Sequence, residues 1–194
     1  MSKRLIAALC LVAAVVAFRL LPIYAGADVA KALANISPLA ALALCGAMLL
    51  PRRLAMGITF GAFLVSDIAL NLHYGQPLLN LYSAALLIAF AAIFAAGWLL
   101  RKRPSLGVVL GGAVGGGLLF YIVTNTAAMF YDPAYAKSLA GWWQAMTIGV
   151  PGFPSPPVFG LRMLLGNVVF AAAFYFAMRP VAQPQRELTP ATAA

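Results

Sequence analysis

Six long apolar stretches constrain the fold of this chain more than any other feature. The chain has 194 residues, of which 64% are hydrophobic and 9% charged, more apolar side chain than one soluble core can bury. A helix that spans a bilayer needs about 20 residues, with a range of about 17–25. The sequence therefore predicts an all-α integral membrane protein of six transmembrane helices, over residues 5–21, 38–50, 54–72, 78–100, 106–130 and 158–178.

Proline residues stand at the ends of these stretches. Proline lacks a backbone N–H and clashes with the preceding turn, so it belongs where a helix should begin or end. The boundary prolines are Pro22, Pro51, Pro77, Pro104, Pro156, Pro157 and Pro180.

The distribution of basic residues predicts the orientation of the helices. Nine of the thirteen Lys and Arg residues fall on one side of a six-span arrangement. Because cytoplasmic loops are enriched in Lys and Arg, both termini are expected in the cytoplasm, and the protein is expected to be a multi-pass protein of the bacterial inner membrane. The basic residues are scattered over short turns, which argues against nucleic-acid binding. The nine are Lys3, Arg4, Arg52, Arg53, Arg101, Lys102, Arg103, Arg179 and Arg186.

The two ends of the chain receive separate interpretations. Residues 1–180 are predicted to form one six-helix transmembrane domain, and residues 181–194 a disordered cytoplasmic tail, because that tail is polar and contains proline. The basic start, apolar run and small residues near Gly26 also resemble a signal peptide. Arg19 and Pro22 disfavour that alternative, and cleavage would leave five spans and spoil the charge pattern.

Polar residues at membrane depth are costly and therefore informative. Every strongly polar residue inside a predicted span lies in its outer half, over an inner half of Ala, Leu, Val, Gly and Phe. This asymmetry predicts an outward-facing polar pocket above a closed apolar floor. The alternative is a structural ion pair, Asp67 with Arg19 or Arg162, that fixes helix packing. The candidate pocket residues are Arg19, Asp67, Asn71, Tyr121, Thr124, Asn125 and Arg162.

The second stretch is too short to cross the bilayer. Its 13 residues would rise only about 20 Å, against a hydrocarbon core of roughly 30 Å. Ser37 and Pro38 form a strong start signal, as N-cap and first helical residue. The N-terminus of this helix is then expected inside the outer pocket, where its amide groups and dipole favour an anion. The alternative is a helix that continues through residues 31–36.

The longest loop, residues 131–157, is expected to cap the pocket from outside, with Trp142 and Trp143 as interfacial anchors. Gly107, Gly111 and Gly115 are spaced for close helix contact, either within the molecule, which we favour, or with a partner. Cys10 and Cys45 are interpreted as packing residues. No metal site and no cofactor are expected, since a lone histidine without clustered carboxylates is a poor ligand set.

Three spaced motifs resemble a family of small bacterial membrane proteins of unknown function. They are Asn35-Ile-Ser-Pro-Leu-Ala-Ala-Leu-Ala-Leu, then Ser66-Asp67 within a helix end, and then Phe120-Tyr-Ile-Val-Thr-Asn125. In the family the first motif reads N-F-x-P-x-x-A-x-A-L, and the second is an S-D pair that ends a helix. The third motif reads F-F-x-x-T-N and is followed by a Y…G-L…P-F segment. Ile36 departs from this pattern, as does the start of the last helix, where Arg162 or Asn167 replaces an expected acidic residue. The last segment is matched by Tyr135, Gly141, Val150, Pro151 and Phe153.

The size and six-helix layout of that family are similar to those of the substrate-binding S components of energy-coupling-factor (ECF) vitamin transporters. This resemblance implies an S-component-like bundle, an outward pocket capped by loops, and a membrane coupling partner that works with an ATPase. It is an analogy of fold, which does not fix function.

We therefore expect a substrate-binding membrane transport protein that captures a small polar or anionic molecule, vitamin-like in the analogy. The expected binding residues add Ser37 and Trp142 to the pocket residues above. A membrane-embedded enzyme acting on a lipid or small molecule is the alternative, disfavoured because the sequence lacks the H-E-x-x-H, G-x-S-x-G and nucleotide-loop motifs. A structural or assembly partner of another membrane protein is a third interpretation.

Overall fold

A computed structural model describes residues 3–33, 36–102 and 104–182 of the chain. The described residues form helices and turns without strands. Residues 183–194 of the predicted tail lie outside the described part. The helices are α1 (Lys3–Tyr24), α2 (Ala27–Leu33), α3 (Leu39–Leu49), α4 (Arg52–His73), α5 (Leu81–Leu100), α6 (Leu106–Tyr131), α7 (Leu139–Thr147) and α8 (Pro156–Ala182).

Each of the six predicted apolar stretches forms a helix at the expected place. In the described residues, four helices are long and apolar enough to cross a membrane by length and composition: Arg52–His73, Leu81–Leu100, Leu106–Tyr131 and Pro156–Met178. Leu9–Tyr24 and Leu39–Leu49 are shorter apolar helices. The prediction of an all-helical membrane protein is therefore confirmed.

Short polar side chains begin several of these helices. Asn80 accepts a hydrogen bond from the amide of Ser83 at 2.8 Å, Ser105 from Val108 at 3.3 Å, and Ser138 from Gly141 at 3.2 Å. Each bond satisfies an amide that the first helical turn leaves without a carbonyl partner. The turns between the apolar stretches thus define where α5, α6 and α7 begin.

Helix α3 is the centre of the bundle. Every side chain from Leu39 to Met48 is buried, and the helix packs against α4, α5, α6 and α8. Its sequence, LAALALCGAML, is apolar on all sides, which suits a helix that has protein on all sides. The alternative of one helix continuing from residue 31 is wrong, because α2 ends at Leu33 and residues 36–38 are not helical.

Glycines allow the close contacts around α3 and between α6 and α8. A Cβ at Gly97 of α5 would lie 2.7 Å from the carbonyl oxygen of Leu44, and one at Gly117 of α6 would lie 2.6 Å from Leu164. Glycine at these positions therefore lets α5 approach the backbone of α3, and α6 approach α8.

Two of the basic turns lie at the same end of the bundle. The guanidinium groups of Arg52, at the start of α4, and Arg101, after α5, lie 5.6 and 3.9 Å from the ring centroid of Trp98. Arg and Trp are both typical of the membrane–water interface. The opposite end carries α7 and the turn between α4 and α5.

The outer faces of the long helices are apolar. Large aliphatic and aromatic side chains on α4, α5, α6 and α8 are exposed, among them Leu72 (67%), Ile88 (61%), Val169 (65%) and Phe176 (58%). In water this surface would be unfavourable, whereas lipid tails solvate it without cost.

The glycine series on α6 divides into two faces. Gly112 and Gly116 contact Leu44 and Ile93, whereas a Cβ at Gly107, Gly111 or Gly115 would meet no atom within 4 Å. The favoured interpretation of this glycine series as packing within the molecule is confirmed for Gly112 and Gly116. It is wrong for Gly107, Gly111 and Gly115, because their face of α6 points outward. Cys10 is likewise exposed, whereas Cys45 is buried as expected.

We predict that Gly97→Ala lowers the free energy of unfolding by about 1–3 kcal/mol, because the new methyl group must displace the backbone of α3. The matched change Gly111→Ala meets open space. It should leave stability unchanged or raise it by up to about 1 kcal/mol, the difference in helix propensity. Unfolding of the detergent-solubilised protein by SDS, followed by tryptophan fluorescence, measures both. Equal destabilisation by the two variants would contradict the packing described here.

Candidate functional site

A cavity of about 260 Å³ opens in the bundle at the end opposite Trp98. Helices α5, α6 and α8 form its walls, and the start of α3 and one side chain of α1 complete it. Its polar lining residues are Arg19, Ser37, Tyr82, Tyr121, Thr124, Asn125, Tyr131 and Asn167; its apolar ones are Ala40, Leu86, Phe90, Phe120, Ala128, Pro156, Phe159, Gly160 and Met163.

Local glycines shape this cavity. A Cβ at Gly160 would lie 2.9 Å from the ring of Tyr121, and one at Gly166 would lie 2.9 Å from Ile36. Helix α8 can therefore approach both α6 and the segment before α3. The hydroxyl of Tyr121 donates a hydrogen bond to the carbonyl of Met146, which ties the α7 segment to the cavity wall.

The start of α3 lies at the edge of the cavity, as the sequence predicts. Ser37 and Ala40 both line it. The predicted capping is wrong by one residue, because Pro38 and not Ser37 is the N-cap of α3, and no side chain caps the helix. The hydroxyl oxygen of Ser37, just before this N-cap, accepts a hydrogen bond from the amide of Leu39 at 3.4 Å. The remaining first-turn amides have no intrahelical carbonyl, so the positive end of the α3 dipole faces this region.

Asp67 of α4 is the acceptor of a small polar cluster beside the cavity. Its Oδ2 accepts hydrogen bonds from the Ser83 hydroxyl at 2.8 Å and the Asn71 amide at 3.1 Å. Its Oδ1 lies 3.7 Å from Nη2 of Arg19. The predicted ion pair between Asp67 and a basic residue of the first or last helix is thus confirmed, with Arg19 of α1 as the partner.

Arg19 belongs to both the cluster and the cavity. Its side chain is 13% exposed, and its guanidinium lies 5.8 Å from the ring centroid of Phe63. Its Nη1 is buried and has no hydrogen-bond partner among the described residues. A buried donor without a partner costs about 1–3 kcal/mol, and more when it is charged.

Asn167 of α8 presents a second unpartnered group. The residue is 2% exposed and lines the cavity. Its amide nitrogen donates to the carbonyl of Ala113 at 3.1 Å, whereas its Oδ1 has no partner among the described residues. In the sequence, Asn167 stands out only as a departure from a family pattern. Its position in the middle of an apolar helix was the signal for a site residue.

Thr124 and Asn125 line the cavity as predicted, but their donors are already engaged. The Thr124 hydroxyl donates to the carbonyl of Phe120 at 2.8 Å, and the Asn125 amide donates to the carbonyl of Tyr121 at 2.8 Å. These bonds within α6 leave the oxygen atoms of both side chains as acceptors.

Four predicted site residues do not line the cavity: Asp67, Asn71, Trp142 and Arg162. Arg162 is exposed and is not part of the cavity wall. It follows Gly160 by two positions, a rotation of about 200° around the helix, so it faces away from the wall that Gly160 forms. Asn71 contacts Asp67 and Ser83 but does not line the cavity either.

Trp142 stabilises the segment around α7 and does not line the cavity. Its indole N–H donates to the Thr126 hydroxyl at 2.9 Å, and its ring packs against the buried cluster of Met129, Tyr135 and Ala145. Lys137 donates to the carbonyls of Met129 at 2.5 Å and Asp132 at 2.7 Å. Burial and the nearby Asp132 raise the pKa of the Tyr135 phenol, which therefore stays neutral. The segment is an ordered cap at the end of α6.

Aromatic rings are the part of the site that sequence reasoning missed. Tyr82, Phe90, Phe120, Tyr131 and Phe159 line the cavity. Tyr82 and Tyr131 meet with ring centroids 6.1 Å apart, and Phe90 and Phe120 with centroids 5.4 Å apart. In an apolar sequence nothing distinguishes such rings from lipid-facing ones before the packing is known.

Metal chemistry has little support in the described part of the chain. There, no group of three or more His, Cys, Asp or Glu side chains could hold a metal ion.

A family model described as a family of unknown function (DUF6580) matches residues 1–189. The chain belongs to this family. No curated protein and no solved structure matches it. Membership thus agrees with the resemblance to a family of unknown function and leaves the activity to be argued from the cavity.

We predict that Asp67→Asn destabilises the protein by an amount on the order of 3 kcal/mol, because it leaves the charge of Arg19 buried without its partner. Arg19→Gln combined with Asp67→Asn should cost less than the two single changes together, since the double variant holds no unpaired charge. Asp28→Asn, at an exposed position on α2, removes the same charge and should change stability by less than about 0.5 kcal/mol. SDS unfolding of the four variants gives the coupling; strict additivity would mean that the ion pair does not form.

Proposed function

We propose that this chain is a substrate-binding membrane transport protein that captures a small polar or anionic molecule in the cavity between α5, α6 and α8. The observation that carries the proposal is a cavity lined by Arg19 and Asn167, each of which holds a buried polar atom, Nη1 and Oδ1, without a hydrogen-bond partner among the described residues. Buried polar groups of native proteins are almost always satisfied, so orphaned ones on a cavity wall point to a bound molecule.

The shape of the site supports a binding function. Ligand pockets are concave, mostly apolar and supplied with a few convergent polar groups. A volume of about 260 Å³ is just below the roughly 300–1,000 Å³ that drug-sized ligands occupy, so the ligand is of small-metabolite size. Arg19 and the start of α3 favour an acceptor-rich or anionic group.

The proposal includes six spans with both termini in the cytoplasm of a bacterium, in its inner membrane. The cavity then faces outward, because the basic turns around Trp98 mark the opposite, cytoplasmic end. The arrangement is similar to the layout of ECF S components, an analogy of architecture.

Release to the inside requires the bundle to rearrange, since close contacts such as Gly117 against Leu164 close the path below the cavity. The sequence holds no G-x-x-x-x-G-K-[ST] motif that would bind a nucleotide. We therefore propose that a membrane coupling partner with an ATPase supplies the energy for this step.

Native mass spectrometry of gently extracted protein tests ligand capture. We expect a co-purified small molecule on the wild-type protein. Ala128→Phe fills the cavity and should abolish the mass shift, whereas the neighbouring Ala127→Phe, which faces a groove on the outer surface of α5 and α6, should retain it. A wild-type protein without bound molecules, or equal retention by both variants, would count against the proposed site.

Cysteine labelling in intact cells tests the orientation. In a background of Cys10→Ser and Cys45→Ala, Lys102→Cys should react with a membrane-impermeant maleimide only after the membrane is opened. Ala140→Cys, exposed on the external segment, should react in intact cells. The reverse pattern would mean that the topology is opposite to the one proposed. Labelling of both sites in intact cells would mean that α6, the helix between them, does not cross the membrane.

A further inference from the structure

The two buried atoms without partners among the described residues, Arg19 Nη1 and Asn167 Oδ1, narrow the class of ligand that the proposed site would bind. Arg19 Nη1 is a donor and therefore requires an acceptor; Asn167 Oδ1 is an acceptor and therefore requires a donor. A ligand that satisfies both must carry an acceptor at one position and an N–H or O–H at another.

The other polar groups of the wall make weaker demands. Three side chains donate hydrogen bonds to backbone carbonyls: the Tyr121 hydroxyl to Met146, the Thr124 hydroxyl to Phe120, and the Asn125 amide to Tyr121. A ligand that bypasses these three side chains leaves no donor without a partner. Of the polar side chains that line the cavity, only Arg19 and Asn167 carry a buried atom without a partner among the described residues. These two atoms therefore make the strongest polar demand on a ligand, beside the hydroxyl groups of Ser37, Tyr82 and Tyr131.

Charge balance limits an anionic ligand to a single charge. The positive charge of Arg19 is already shared with Asp67 at 3.7 Å, so the pair brings no net charge to the cavity. Attraction for an anion comes from the remaining guanidinium donors and from the start of α3, whose Ser37 and Ala40 line the wall. These partial charges suit one carboxylate, whereas a phosphate dianion would bring a second negative charge that nothing in the wall compensates in a low dielectric.

The rest of the wall favours a ring. Phe90, Phe120 and Phe159 line the cavity together with the rings of Tyr82 and Tyr131. Aromatic side chains stack on or meet the edges of flat apolar groups, and such contacts add to the free energy gained by burial.

We infer that the ligand is a small ring-containing monocarboxylate that also carries a hydrogen-bond donor, with its carboxylate at Arg19 and its donor at Asn167. This inference rests on the proposed function, of which it names the substrate class.

Three related probes separate the two polar contacts. 4-Hydroxyphenylacetate has both groups, phenylacetate lacks the donor, and 4-hydroxyphenylacetamide lacks the negative charge. Binding to the full chain in lipid nanodiscs, measured by isothermal titration calorimetry, should be tightest for 4-hydroxyphenylacetate. Loss of either group should raise Kd by about tenfold or more, the effect of leaving one buried polar group without a partner.

Variants should show a crossed pattern. Arg19→Gln should weaken 4-hydroxyphenylacetate by at least about tenfold and 4-hydroxyphenylacetamide by less than about threefold. Asn167→Leu should weaken 4-hydroxyphenylacetate but not phenylacetate. Arg53→Gln and Asn80→Ser, at residues outside the cavity wall, serve as controls and should bind all probes as the wild type does. Should Arg19→Gln fail to fold, Arg19→Lys keeps the charge but not the planar donor pair and should show a smaller loss of the same kind.

The outcomes separate this inference from the proposal beneath it. Equal binding of each probe to all variants overturns the inference, as does a co-purified molecule on the wild type that is neutral, cationic or doubly charged. In the latter case the binding function stands. A co-purified monocarboxylate with a donor supports the inference even where these probes are too small to bind. If no probe binds and no molecule co-purifies, both the inferred ligand class and the proposed binding function are wrong.

Discussion

The burial of α3 is the constraint on which the rest of the structure depends. A helix that begins inside a bundle presents amides that neither lipid nor its own carbonyls can satisfy. Two features accompany this helix start: the Ser37 hydroxyl, which accepts a hydrogen bond from the amide of Leu39, and a polar-lined cavity beside the first turn. The four long helices must surround α3 on all sides, which explains its uniformly apolar sequence and the glycine at position 97 where α5 meets the Leu44 backbone. The cavity is thus a consequence of a helix too short to reach the surface.

The ion pair between Arg19 and Asp67 makes this arrangement tolerable. An arginine at membrane depth is costly alone, and its pairing with an acid that is itself held by Ser83 and Asn71 removes the net charge. It also joins α1 to α4, the long helix against which α1 chiefly packs. The structural and functional interpretations of Asp67 are therefore compatible. Asp67 lies 3.7 Å from Nη2 of Arg19, and Nη1 has no hydrogen-bond partner among the described residues.

The sequence predicts the helices well because their signals are local. Apolar length, boundary prolines and capping residues such as Asn80 and Ser105 act within one or two turns, and the six stretches appear where expected. The structure brings only some of the predicted pocket residues to the cavity, and the reason is geometric. The cavity is lined by Arg19, Ser37, Tyr121, Thr124 and Asn125. Arg162 instead is exposed, Trp142 packs within the α7 segment, and Asp67 and Asn71 lie beside the cavity. Which side of α8 faces inward depends on Gly160 meeting Tyr121, a contact between helices that hydropathy does not encode.

Asn167 shows how the same reasoning reaches further once packing is known. In the sequence it is one polar residue in an apolar helix, and a helix-stabilising role would account for it equally well. In the structure the two ends of the side chain differ: the amide nitrogen donates to the α6 carbonyl of Ala113, and the buried oxygen has no hydrogen-bond partner among the described residues. A purely structural asparagine would be expected to use both ends, since an unsatisfied oxygen weakens the contact it is meant to strengthen. Asn167 and Arg19 each line the cavity and each have one buried polar atom without a partner among the described residues. These two atoms make the space between the helices a candidate binding site.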